Sequence, residues 1–400
     1  MKQTLLVAAS APGLQGVGGF LIDQMLNVDG VQPVSFAGII NEKAAAESKR
    51  DRLQSFEIFP PYNEWYTDQI NSVAGAIKRY LVHRTHYDQH VRNQADLIEH
   101  YMLSQQPEQL WLILNSLAAI DVAYRITNAF RGDIITQIWD DPTHLCRQRN
   151  IDRYSRSRTH KRFRRLLDRS TRIGVIGEDA QKAYRPFSNA PAVIVRYGTG
   201  EQTPDVSDQG NDPAEFRIGL AGSMYATDAW EALQRSLDQV EWTIDGRRIV
   251  LVVAGNKITF SANSNAAATF RGWCNQTELR SLLAECDCLY LPQSFSSRSR
   301  ELTELSFPTK LSDYVATGRP VFVHAPAYGS VARFCRRNQF GTVCQSLTPD
   351  DILETLRPLV QDPQKVEHQS QASVRIATEV LTYEAFASGT RQLLGIEEVD

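Results

Sequence analysis

The sequence predicts an α/β protein built from two doubly wound, Rossmann-like domains in series. Short apolar runs alternate with longer helix-forming stretches, the pattern of right-handed βαβ units. Several of those runs are apolar on both faces, as strands of a covered parallel sheet must be. The whole pattern then stops and restarts once, across "YGTGEQTPDVSDQGNDPAEF" at 197–216. A chain of 400 residues also exceeds one ordinary core and suits two domains of roughly 150–200 residues.

In the first half the expected strands are Thr4–Ala9, Val34–Ile40, Leu110–Asn115, Ile134–Trp139, Arg172–Ile176 and Ala192–Arg196. Between them, Asn63–Leu103 and Ile151–Asp168 are rich in helix formers. The segment 197–216 is rich in Gly, Asp, Pro and Ser and reads as a linker. The second set of expected strands is Arg217–Ala221, Arg248–Ala254, Ala268–Arg271, Asp287–Leu291, Pro320–Val323 and Gly341–Gln345. Helices are expected over Asp228–Leu237, capped by Thr227, and up to Ala284, capped by Thr277. A long last helix, Ser370–Leu394, is long enough to cross back to the first domain. Two such domains imply a cleft between them, with ligands at the carboxyl ends of the strands.

The bulk numbers exclude some functions. Residues are 42% hydrophobic and 22% charged, with a net charge of −3. That balance gives no global attraction to nucleic acid, which is not an expected partner. No run of 18 apolar residues spans a membrane. The start, MKQTLLVAASAPG, reads as a buried first strand rather than a signal peptide, which implies a cytoplasmic protein. The six cysteines form no CxxC pair and read as reduced core thiols.

Three loops at strand ends are candidates for ligand contact. After the first strand, Gly16, Gly18 and Gly19 let backbone approach a ligand at a helix start. A dinucleotide fingerprint from Gly16 would want a small residue where Leu21 stands, while Glu42 after the second strand keeps a nicotinamide dehydrogenase as a competing reading. At the restart, Gly222 and Ser223 offer backbone N–H groups and a hydroxyl to a phosphate, or serve turn geometry alone. The loop "QSFSSRSRELTEL" brings Arg298, Arg300, Glu301 and Glu304, suited to phosphate and sugar hydroxyls or to a solvated loop.

"SFPTKLSDYVATGRPVFV" at 306–323 reads as a helix over 307–317, a turn at Gly318 and a strand. Phe307, Leu311, Tyr314 and Val315 form its core stripe, and Pro308 fits the first turn. Lys310 and Asp313 share an adjacent face with Thr317. By spacing alone they are either an i, i+3 surface ion pair, worth about 0.2–0.5 kcal/mol, or a ligand site. "RYSRSRTHKRFRRLLDR" begins a stretch, Arg153–Arg172, with nine Lys/Arg against one acid. Its arginines at 158, 162, 165, 169 and 172 recur every three or four residues, a basic amphipathic helix suited to an anionic membrane surface or to solvent. The protein would then be peripheral on the inner membrane face.

The order of "IGLAGSM", "IVLVVAGN", "FRGWCNQTELRSLLAECDCLYLP" and "FPTKLSDYVATGRPVFV" resembles the donor-binding domain of GT-B glycosyltransferases, specifically glycosyltransferase family 4. That family's last element often reads P-S-K-L-x-E-Y-x-A-x-G-x-P-V. Here Pro308, Thr309, Lys310, Leu311, Asp313, Tyr314, Ala316, Gly318, Pro320 and Val321 stand in those places. The resemblance implies an acceptor-side domain over 1–200, a donor-binding domain over 201–375 and a C-terminal helix over 376–400. It implies a nucleotide-sugar donor, a glycan or lipid-linked acceptor, retention of configuration, and no cofactor or metal. Asp313 takes the place of the acid that holds the donor ribose. Gly222, Ser223, Thr309 and Lys310 take diphosphate positions, and Trp273 and Cys274 lie where the base is read. The family's E-x7-E pattern would begin at Leu305, with Glu304 one residue off. Asp140 or Asp141 of "IWDDPTHL" occupies the place of a common histidine, with His144 slightly beyond. An acid there would polarise an acceptor hydroxyl or stabilise an oxocarbenium charge. The departures leave a non-catalytic nucleotide-sugar-binding partner as the alternative.

Overall fold

The computed structural model describes residues 2–14, 16–62, 72–200, 212–255, 260 and 266–396. The chain forms two compact units: Met1–Arg196 together with Phe386–Asp400, and Tyr197–Ala385.

The first unit is a parallel sheet of seven strands. They are β1 (Thr4–Ala8), β2 (Val34–Gly38), β3 (Leu53–Ile58), β4 (Gln109–Leu114), β5 (Asp133–Ile138), β6 (Arg172–Val175) and β7 (Ala192–Ile194). Their order is β3-β2-β1-β4-β5-β6-β7. The second unit holds β8 (Glu215–Ala221), β9 (Thr243–Ile244), β10 (Arg247–Ala254), β11 (Ala268–Gly272), β12 (Cys288–Pro292), β13 (Val321–His324) and β14 (Thr342–Cys344). The order is β11-β10-β8-β12-β13-β14, with β9 antiparallel on β10. In each unit the chain winds one way from its first strand and then returns to wind the other way. The switch points are β1/β4 and β8/β12, where doubly wound sheets bind ligands at strand carboxyl ends. The glycine turns singled out in the sequence follow β1 and β8.

The central strands bury both faces: all six residues of β4 and all five of β12 are inside. Phe216, Trp230, Leu251, Tyr290 and Phe322 lie in one core of the second unit. Each such side chain contributes about 1.5–3 kcal/mol of burial.

Four local expectations differ from the structure. Leu53–Ile58 is a strand that was not foreseen, half-buried at the sheet edge rather than continuously apolar. The helix Thr227–Gln239 begins at Thr227 itself; Ala226 is its cap residue and gives no side-chain bond. The helix Gln276–Ala284 is capped by Asn275, not Thr277, through a capping box with Glu278. The single terminal helix is two, Pro363–Glu379 and Tyr383–Leu394. Thr382 interrupts it: its hydroxyl accepts from Ala385 N at 3.0 Å and starts the second helix. Of the expected linker, 201–211 lies outside the described residues. Its first part packs on the second unit: the buried Tyr197 accepts from Ser312 Oγ at 2.6 Å, and Thr199 pairs with Thr382.

Candidate functional site

In the second unit, the expected 307–317 helix is shorter, Lys310–Ala316, with Thr309 as an uncapping αR residue before it. Its core stripe is as expected: Phe307, Leu311, Tyr314 and Val315 are buried. Gly318 closes it at φ +70°, a conformation that suits glycine. Lys310 and Asp313 do not pair with each other; each is held separately. The Lys310 ammonium donates to Ala221 O at 3.1 Å and lies 5.8 Å from the Tyr225 ring centre. One turn on, the Tyr314 hydroxyl accepts from Ala221 N at 2.8 Å. Two residues at i, i+4 thus grip both backbone groups of the last residue of β8. Gly222 follows at once, exposed, with φ +83° and open space where a Cβ would stand. Gly255, at the end of β10 with φ +115°, lies so near that a Cβ would meet Gly222 O at 3.1 Å. Ser223 is exposed beside it.

Asp313 is buried beside this turn. Its Oδ1 accepts from Gln276 Nε2 at 2.5 Å and lies 3.6 Å from Arg280 Nε. Arg280 in turn donates to Thr199 Oγ1 at 2.9 Å. Burial pushes the Asp313 carboxyl up to about 6, against the pull of Arg280 and Gln276. Burial likewise brings the Lys310 ammonium down to about 8. Such displaced acid–base pairs concentrate at functional sites. Trp273, 68% exposed, and half-buried Cys274 follow β11 and lead directly to Gln276. The structure therefore groups Gly222, Lys310, Asp313 and the 273–276 turn.

The loop after β12 is tied down. Asp228 Oδ2 accepts from Phe295 N at 2.7 Å and Ser294 Oγ at 3.1 Å. Sequence reasoning missed this anchor, although an acid in the first turn of a helix at a strand end was the available signal. Glu304 is partnered on both oxygens, by Arg300 at 3.4 Å and Arg333 at 3.8 Å. Arg300 also lies over the Tyr328 ring at 4.6 Å. Arg298 is exposed on the same loop. Pairing with Arg300 and Arg333 makes Glu304 a brace of this loop.

In the first unit, Gly16 is exposed at φ +100°, at the start of helix Val17–Leu26. A Cβ on Gly18 would meet Ser10 Oγ at 3.0 Å and the Trp139 ring at 3.3 Å, so this turn lies against the end of β5. Gly19 is a packing glycine: its Cβ space is filled by Ala11 O and Leu14 O. The two adjacent acids divide in character. Asp141 caps helix Pro142–Gln148, with Oδ1 accepting from Thr143 N at 2.7 Å and Oδ2 from Tyr184 OH at 2.9 Å. Asp140 has no side-chain hydrogen-bond partner among the described residues, and burial, then the Asp141 charge, pushes it up to about 6.

The basic stretch divides: Arg153, Lys161, Arg164 and Arg165 are exposed, while others of its arginines are drawn toward the unit. Arg158 meets the buried Asp88 at 2.9 Å, and Arg162 meets the buried Asp121 at 3.0 Å. Arg165 donates to Tyr124 OH at 3.2 Å, Arg169 to Asn128 Oδ1 at 3.0 Å and Arg172 to Leu393 O at 2.7 Å. Arg158 and Arg162 turn to the interior because two carboxylates on neighbouring helices are buried and need cations, while Arg165 stays exposed. No helix among the described residues is long and apolar enough to cross a membrane.

No protein-family model and no curated protein sequence matches the chain. Solved structures do. HepE from Anabaena in complex with UDP-glucose is 11% identical, covers 99% of this chain and 100% of its own, and has a TM-score of 0.65. Sucrose-phosphate synthase from Thermosynechococcus elongatus is 12% identical over 98% of both chains at 0.65. An α,α-trehalose 6-phosphate synthase from Burkholderia multivorans is 8% identical over 99% of both chains at 0.63. These are GT-B glycosyltransferases, and the fold of this chain is theirs.

Proposed function

We propose that this chain transfers a sugar from a nucleotide diphosphate sugar to a hydroxyl acceptor, with retention of configuration, in surface-polysaccharide or glycan assembly. The observation that carries the reading is the grouping of Gly222, Lys310 and Asp313 at the β8/β12 switch point. The HepE complexes with UDP-glucose and with UDP support a nucleotide-sugar donor for this fold.

In this reading the donor diphosphate takes the open backbone of Gly222, with Ser223, Thr309 and the Lys310 ammonium. Protonated below about pH 8, Lys310 neutralises charge that builds on the leaving diphosphate. The Asp313 carboxylate, positioned by Gln276 and Arg280, accepts from the ribose hydroxyls. Trp273 and Cys274 border the base, and Arg298 and Arg300 add cations near the phosphates. Among the acids, Asp140 polarises the acceptor hydroxyl, while Asp141 and Glu304 hold their loops in place. Gly18 keeps the first turn thin enough to lie on Trp139, with Gly19 packing beneath it.

The test is a thermal-shift series with UDP, GDP, dTDP and their sugars, followed by donor turnover. Binding to the native state alone stabilises by about 2.7 kcal/mol at a hundredfold excess over Kd. One nucleotide class should raise the melting temperature. Asp140→Asn should keep that rise and lose turnover by about 10²–10⁴-fold. Absence of a shift with every nucleotide overturns the reading.

A further inference from the structure

We propose that helix Val73–Val82, together with Tyr154, docks this chain on an anionic lipid surface. The helix reads VAGAIKRYLV and places Val73, Ile77 and Leu81 at i, i+4 and i+8. At 100° per residue these fill an arc of about 80°. On an ordinary surface helix such a stripe faces the core. Here it faces outward: Val73 is 78% exposed, Ile77 56% and Leu81 53%, and no residue of the helix is buried.

Arg79 holds the helix from another side, while Tyr80 extends the edge of the stripe toward Tyr154. Ser72 caps the helix, accepting from Gly75 N at 3.0 Å. Arg79 donates to Asn150 O at 3.1 Å, and the Tyr80 ring meets Tyr154 edge-on at 5.9 Å. The π-helical turn that follows, His83–Tyr87, buries His83 and Tyr87. Tyr154 is itself 75% exposed and widens the apolar face with a ring that has a polar tip.

Charge identifies the occupant. Residues 72–87 contain no Asp or Glu, but Lys78, Arg79 and Arg84. Lys78 borders the stripe, is exposed, and has no ion-pair partner among the described residues; Arg153, beside Tyr154, is likewise exposed and unpaired. The neighbouring carboxylates are withdrawn. Asp88 is buried under Arg158, and Asp152 is buried as the cap of helix Arg153–Arg169. Apolar side chains at the acyl boundary, a tyrosine at headgroup level and cations on lipid phosphates make an interfacial helix. This surface is centred on helix Val73–Val82 and takes in only Arg153 and Tyr154 from the start of the basic stretch, and it stands whether or not the glycosyl-transfer reading holds.

Sedimentation of the full chain with vesicles tests it. One set contains phosphatidylcholine and phosphatidylglycerol in equal parts, the other phosphatidylcholine alone. The chain should partition to the anionic set, and an Ile77→Ser, Leu81→Ser double variant should lose about tenfold or more of that partition. Lys78→Ser should weaken it and flatten its salt dependence. Both apolar positions are more than half exposed, so the double variant should keep the melting temperature of the parent. A chain that stays in the supernatant with both sets overturns the proposal. So does a double variant that binds as the parent does, or self-association at this face that accounts for its exposure.

Discussion

Asp313 shows how burial converts a carboxylate into a sensor. Burial raises its carboxyl from the ordinary 3.8 to about 6 in the folded chain. A raised acid is favoured protonated, so its contribution is present at low pH and is lost as pH climbs from about 4 through about 6. At neutral pH the ionised, buried group is a cost of about 1–3 kcal/mol. In the proposed donor site ribose hydroxyls donate to the ionised form, so nucleotide affinity should rise as pH increases from about 5 to about 7.5. Asp313→Asn should melt higher than the parent without ligand at neutral pH, bind nucleotide more weakly, and show no such pH dependence. Titrations of both proteins by calorimetry across this range check it; an affinity of the parent that stays flat removes Asp313 from the site. Sequence spacing left Lys310 and Asp313 open between an ion pair and a ligand site. It could not show that Lys310 points back to Ala221 while Asp313 turns to Gln276 and Arg280, because those partners lie 33 to 89 residues away along the chain.

At the scale of elements, periodicity was a good guide and end signals were weaker. The apolar stripe of the Lys310–Ala316 helix was legible because packing repeats every three to four residues. The cap of the Gln276–Ala284 helix was misplaced although "NQTE" contains the answer: an Asn with Glu three residues on is a capping box. Asn275→Ala should therefore cost about 1 kcal/mol, and Thr277→Ala, on the exposed side, less than about 0.5 kcal/mol. Urea denaturation compares them, and equal losses would contradict the assigned cap. The arginine helix Arg153–Arg169 teaches the complementary lesson. Its spacing shows that the arginines share a face, but only Asp88 and Asp121 on other helices decide that Arg158 and Arg162 turn inward. The neighbouring helix Val73–Val82 reverses the usual assumption, with the apolar stripe out.

At the scale of the whole molecule, the single restart was the most legible feature, since strand–helix alternation is a long-range pattern repeated many times. The return of the chain was less so. Phe386–Asp400 belongs to the first unit. There a Cβ on Gly389 would stand 2.4 Å from Ile194 O, and one on Gly174 2.7 Å from Leu393. Gly389→Val should destabilise the first unit by about 1–3 kcal/mol through overpacking while leaving nucleotide affinity of the second unit unchanged. Denaturation with and without nucleotide separates the two effects, and a variant as stable as the parent would show that this packing is not needed. The cysteines show a different long-range economy. Five of the six are buried, and burial pushes the Cys286 and Cys335 thiols up to about 12. Cys274 alone is partly open, two residues from the glutamine that holds Asp313. The natural chain thus carries a single chemically addressable handle, and a fluorophore attached there would sit at the rim of the proposed donor site without any residue having been replaced.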